Sequence, residues 1–182
     1  MAKRRFTASL ANLPHGCGGT YRPHKMRGYD ATRELGIPVE LRGVVLGLRC
    51  DRCGAVTVSG AYLDAASPAI VAALLEHARR LSGPEAAFLR KALGLTLGEL
   101  ATGLRVGVDE IRRWEASRSL TVAEDFQLRG HVVGVLLAKT AAKRKSATGL
   151  SRPKLVELAT RVLEHARRDE APATPSPLPI AV

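Results

Sequence analysis

Aromatic residues are nearly missing from this chain: three Phe, three Tyr and one Trp make up 4% of its 182 residues. Any core is therefore aliphatic, and a hydrophobic content of 46% is enough to bury one. Apolar runs approaching the ~18 residues of a membrane span are missing too. Residues 1–13 carry basic side chains without the apolar stretch of a signal peptide, so the expected location is the cytoplasm. Cysteine is scarce. Three thiols, an odd number, argue against a disulfide framework, and the spacing Cys50-x-x-Cys53 points to metal or redox chemistry in a reducing compartment. A glycine-rich phosphate loop, a Ser/His/Asp set and a carboxylate pair on one predicted pocket wall are also missing, so no enzyme is expected. His77, His131 and His165 lie in helical stretches without clustered acids or nucleophiles and read as solvated or core residues.

What the chain has in surplus is positive charge, +11 in all. Residues 1–53 hold ten Lys/Arg against four Asp/Glu, residues 54–81 two against two, residues 82–139 eight against seven, and residues 140–182 eight against four. Such a surplus favours a polyanionic partner, nucleic acid being the usual one.

The order of patterns predicts an α+β protein. Residues 1–14 read as a basic flexible arm. Residues 15–66 read as a small antiparallel β domain, with Val39-Glu40-Leu41-Arg42 alternating, Val44 to Leu48 apolar and Val56-Thr57-Val58 closing the stretch. It is too short to hold together by apolar burial alone, so a staple is expected. A connecting helix is predicted over 67–81, opened by Ser67-Pro68, with Ile70, Leu74, Ala78 and Leu81 on its buried stripe. Residues 82–142 read as all-helical. Three capping boxes open successive helices there: Ser82-Gly-Pro-Glu85, Thr96-Leu-Gly-Glu99 and Thr121-Val-Ala-Glu124. A basic joint, Lys143-Arg144-Lys145, leads within 143–170 to an extra C-terminal helix near Ser151–Arg168, with Leu155, Leu158, Val162 and Ala166 on one face. The proline-rich residues 171–182 read as a disordered tail.

Within the helical part, Leu97, Leu100, Ala101 and Leu104 follow an i, i+3, i+4, i+7 pattern. After the turn Arg105-Val106-Gly107, a second short helix over Val108–Glu115 buries Val108 or Ile111 together with Trp114, and presents Asp109, Glu110, Arg112 and Arg113 on its other face. Trp114 shares a face with Ile111 and reads as core, and Glu115 as the partner of a nearby arginine. This pair resembles the phage-repressor or Xre-type helix-turn-helix family over about 55 residues. The likeness rests on Phe88 to Thr96, Glu99-Leu100-Ala101, Val106 and Ile111-x-x-Trp114-Glu115. It departs from the family in having Arg105 where glycine usually stands in the turn, and Leu97 where a polar residue usually follows Thr96. In that family the second helix enters the major groove, which makes Val108, Asp109, Arg112 and Arg113 the implied base readers, with an arginine gripping guanine in bidentate fashion. Thr96 and Arg90 become implied phosphate contacts, and Ser117 or Arg118 meets the backbone beyond the helix.

Cys50-Asp-Arg-Cys53-Gly54 is half of a zinc knuckle, since two thiolates at this spacing can share one tetrahedral Zn²⁺. Cys17 supplies a third ligand, and His15 or His24 a fourth. With the strand-rich stretch and the helix-turn-helix behind it, this half resembles the YgiT-type zinc domain of MqsA-type antitoxins, although Pro14 stands where the first cysteine of that pattern would be. The resemblance implies a structural Zn²⁺, a homodimer on a palindromic double-stranded operator, transcriptional repression, and a toxin protein as a further partner. The competing reading is an adaptor whose helices dock a partner protein without touching DNA.

Overall fold

The computed structural model describes residues 12–143, 151–165 and 177–181. A long antiparallel hairpin comes first: β1 (Tyr21–Asp30) and β2 (Val39–Cys50), joined by the single-turn α1 (Thr32–Leu35). The two-residue β3 (Val56–Thr57) pairs antiparallel with the far end of β2, Leu48 opposite Thr57. β2 alternates as its sequence does, with Val39, Leu41 and Val45 buried on one face. Those residues face the core because a period of two sends every second side chain to the same side of a strand.

A fourth strand, β4 (Leu178–Ala181), pairs parallel with the start of β2, Val39 opposite Leu178 and Leu41 opposite Ile180. Leu178 and Ile180 are buried while Pro179 and Ala181 face out. The expectation of a disordered tail over 171–182 is therefore corrected at residues 178–181. Proline content argued for disorder, but Pro179 sits with its missing N–H on the exposed register, and every second residue is apolar and finds a slot beside β2. Residues 171–176 and 182 of that expectation lie outside the described residues, as do 166–170 at the end of the expected C-terminal helix, the arm before residue 12 and the joint at 144–150.

The connecting helix α2 runs Gly60–Glu76, not 67–81. Its N-cap is Ser59, whose Oγ accepts from the Tyr62 amide at 3.1 Å, and Pro68 lies inside it. Two start signals compete within one stretch, and the earlier wins because Leu63 and Ala66 extend the buried stripe of Ile70, Val71, Leu74 and Leu75 by two turns. The helix stops at Glu76. Ala78 is exposed, and Leu81 is buried from an extended segment.

All three capping boxes form. The Ser82, Thr96 and Thr121 amides donate to Glu85, Glu99 and Glu124 at 2.8, 2.7 and 2.8 Å. They open α3 (Gly83–Ala92), α4 (Leu97–Leu104) and α6 (Val122–Lys143); between the last two lies α5 (Val108–Ala116). α7 (Arg152–His165) lays Leu155, Leu158 and Val162 onto α6 and α2. One continuous apolar core runs from Val39 and Leu41 in the sheet, through α2, to Leu89, Ile111, Trp114 and Leu136 in the helices.

Buried charges stitch this core at the end of α2. Arg129 of α6 is 1% exposed and donates to the carbonyls of Leu74, Leu75, His77 and Arg79 at 2.6–3.0 Å, and to Asp125 at 2.9 Å. The Leu74 and Leu75 carbonyls are among those that the end of α2 leaves without intrahelical donors, and His77 and Arg79 lie in the segment just beyond it. Asp125 in turn accepts from the Leu81 amide at 2.8 Å. Beside it Arg79 and Glu85 form a buried bidentate pair. Burial alone would raise the Glu85 carboxyl, but the Arg79 guanidinium and the Ser82 donors outweigh it and hold it below its ordinary value.

Candidate metal centre and nucleic-acid interface

Two tight turns face each other at one end of the β1–β2 hairpin. In the first, the His15 amide donates to Gly19 O at 2.8 Å and the Gly18 amide to His15 O at 2.9 Å, which folds His15 and Cys17 toward the same point. In the second, the Gly54 amide donates to Cys50 O at 3.0 Å, closing the Cys50–Cys53 turn. The turns are tied across by the Thr20 amide on Asp51 Oδ1 (2.8 Å), the Asp51 amide on Thr20 O (3.0 Å) and Arg52 Nη1 on Cys17 O (2.6 Å). Gly19 has to be small, because a Cβ there would run into Cys50 Sγ.

The result is a cluster of four donor atoms, from His15, Cys17, Cys50 and Cys53, all within 4.8 Å of one another. His15 Nδ1 lies 3.1 Å from Cys17 Sγ and 3.3 Å from Cys53 Sγ, and the Cys17 and Cys50 sulfurs are 3.5 Å apart. A tetrahedral ion with bonds of about 2.3 Å to sulfur and about 2.0–2.1 Å to nitrogen holds its donors roughly 3.5–3.8 Å apart, so this set is already near the spacing of one metal ion. Electrostatics point the same way. The backbone amide of Cys53, with those of Arg52 and the neighbouring thiols, pulls the Cys50 thiol down to about 6 against the penalty of burial. Cys17 is held up: the Gly19 amide would lower it, but desolvation and the hydrogen bonds to Cys50 and Cys53 prevail. One sulfur of the set is thus poised to ionise first, and an incoming cation would displace the protons of the other thiols into solvent. Of the two histidines left open by the sequence, His15 is in the cluster. His24 is on β1, facing a separate hollow.

The second candidate surface is α5. Ile111 and Trp114 are buried at 0% and 2% exposure, and Val108 packs against the core from a half-buried position. This anchors one stripe and turns Arg112 and Arg113 outward, their side chains 63% and 67% exposed. Arg112 pairs with Asp109 at 2.6 Å; Arg113 pairs with Glu110 at 3.3 Å and Glu124 at 3.2 Å. Thr96 is exposed at the N-cap of α4, and Arg118 is exposed just beyond α5. Ser117 turns its hydroxyl back to Trp114 O at 2.8 Å. Arg90 is used inside the fold: Nε and Nη2 hold the Glu115 carboxylate at 2.6 and 3.0 Å, and Nη1 donates to Leu95 O. In this structure its guanidinium is engaged within the fold, and the arginine partner expected for Glu115 is Arg90 itself. The α3–α5 approach behind this pair is so close that a Cβ on Gly83 would overlap the Glu115 and Ser117 carbonyls.

Sequence reasoning missed a third feature. Beside the metal cluster lies a hollow of about 470 Å³, lined by Arg22, His24, Arg49, Asp51 and Arg52 among others. The signal was the strand register, which sets Arg22 opposite Arg49, and register is not readable without the pairing. Among the described residues no helix is long and apolar enough to cross a membrane. No family model, curated protein or solved structure matches this chain.

Proposed function

We propose that the chain is a sequence-specific DNA-binding transcriptional regulator of the antitoxin kind and not an enzyme. In this reading it works in the cytoplasm as a homodimer on a palindromic operator. The Cys17, Cys50, Cys53 and His15 cluster holds a structural Zn²⁺, whose four protein ligands leave no open position for catalysis. A toxin protein is the further partner that the resemblance of the zinc domain suggests.

The observation that carries the reading is the presentation of α5: a short helix pinned by Ile111 and Trp114 with two arginines directed to solvent. Their carboxylate partners do not argue against it. An exposed i,i+3 ion pair is worth about 0.2–1 kcal/mol, whereas a bidentate arginine–guanine contact contributes about 1–3 kcal/mol of discrimination. Arg112 can leave Asp109 for a base edge at a net gain, and Asp109 is then free to accept from cytosine. Thr96, Ser117 and Arg118 flank the helix where the DNA backbone would pass, and Val108 would offer an apolar contact at its first turn.

The acids on α5 favour one competitor, an adaptor that docks a partner protein through these helices. Selection from a random pool of duplexes separates the two. A regulator enriches one sequence, and its affinity falls steeply between 50 and 200 mM salt, by orders of magnitude for several phosphate contacts. Arg112→Ala with Arg113→Ala then abolishes the preference. An unenriched pool, or a preference that survives the double change, defeats the reading.

A further inference from the structure

The hollow beside the metal cluster is a concentration of cations. Arg22 and Arg49 stand directly opposite each other on neighbouring strands, an arrangement that like charges disfavour unless an anion comes between them. Arg22 has Asp51 at 3.6 Å and remains 59% exposed. Arg49 is exposed and has no carboxylate partner among the described residues; its guanidinium lies along Gly54, where a Cβ would stand 3.5 Å from Nη2. Arg52, whose Nη1 donates to Cys17 O, and His24 also line the hollow. Three arginines thus line one space with a single carboxylate, Asp51, among them, and Arg22 Nη1 also donates to Asn12 Oδ1 at 2.5 Å. The hollow adjoins the metal cluster: Cys50 and Cys53 belong to both, whereas neither His15 nor Cys17 lines it.

Charge elsewhere makes this consequential. Residues 82–139, which include α5, hold eight basic against seven acidic residues, too even a balance to supply the backbone affinity on which DNA binding depends. Residues 1–53 hold ten against four. We infer that the Arg22–Arg49–Arg52 hollow is a phosphodiester site, gripping a backbone phosphate of the same nucleic acid whose bases α5 reads. Guanidinium groups suit this task because their planar N–H pairs match two phosphate oxygens at once. The inference rests on the DNA-binding reading and divides its labour: the hollow supplies affinity, α5 supplies sequence.

The test compares the parent chain with Arg22→Ser/Arg49→Ser and with Arg49→Lys, on the selected duplex and on a random-sequence duplex, by fluorescence anisotropy across a salt series, with metal content measured on each sample. The double variant is expected to bind both duplexes about tenfold more weakly at 0.1 M salt, and its log–log salt slope to be shallower by about 0.9 per phosphate lost. The ratio between duplexes and the metal per chain stay as in the parent. Arg49→Lys, which keeps the charge, retains most of the parent's slope. An unchanged slope in the double variant overturns the inference while leaving the parent's DNA binding intact. So does a titration in which a poly-glutamate peptide, and not the duplex, loses affinity. A parent that binds neither duplex overturns the DNA-binding reading itself, and the two failures are told apart by the parent alone.

Discussion

At position 105 the backbone turns left-handed, with φ at +57°, to reverse the chain between α4 and α5. A side chain there meets its own carbonyl, a clash costing roughly 1–2 kcal/mol that glycine avoids. Arg105→Gly is therefore expected to raise stability by about 1 kcal/mol, read as a shift in the urea midpoint at constant slope. An unchanged or lowered midpoint would mean that the arginine side chain contributes more than the turn strains. The departure from glycine was visible in the sequence, but its left-handed conformation was not, since arginine gives no hint of it. Arg90 shows the same limit: a cation at a helix end reads equally as a phosphate contact or an internal clamp. Only the fold, by bringing Glu115 within 2.6 Å of it, reveals the clamp.

Among elements, those set by neighbours in sequence were readable. The capping boxes, the Leu97–Leu104 stripe and the Ile111/Trp114 anchor depend on residues three or four apart, and all of them form. The metal cluster was half readable: Cys50 and Cys53 are bound by local spacing, whereas the choice of His15 over His24 depends on how the Pro14–Thr20 turn closes. Beyond the hydrogen bonds that tie the two turns, β3 offers only two residues of pairing there, so the staple expected from the sequence can be tested as a dependence on metal. Zinc added to the metal-free chain should bind at about one ion per molecule and protect β1–β2 amides from exchange. Cys53→Ser should lower both occupancy and protection while the α3–α6 amides keep theirs. Equal protection of the sheet with and without metal would show that the cluster plays no part in holding the strands.

For the molecule as a whole, the pairing of β4 with β2 matters most, and nothing local announced it. Leu178 and Ile180 alternate with Pro179 and Ala181 over only four residues, and their partner strand lies near the opposite end of the chain. The two buried side chains fill space between β2 and α2. Ile180→Ala is expected to cost about 2–5 kcal/mol in chemical denaturation, as a large-to-small change in a packed core does. A tail that hung free would cost nothing, so a change near zero would refute the pairing. Because β4 follows every other element of the sheet in chain order, β2 is made well before the strand that completes its edge. Helices α3–α6 can settle while β2 still offers an open edge, and the stretch Val39–Arg42 stays exposed to stray strands from other nascent chains until β4 has been made.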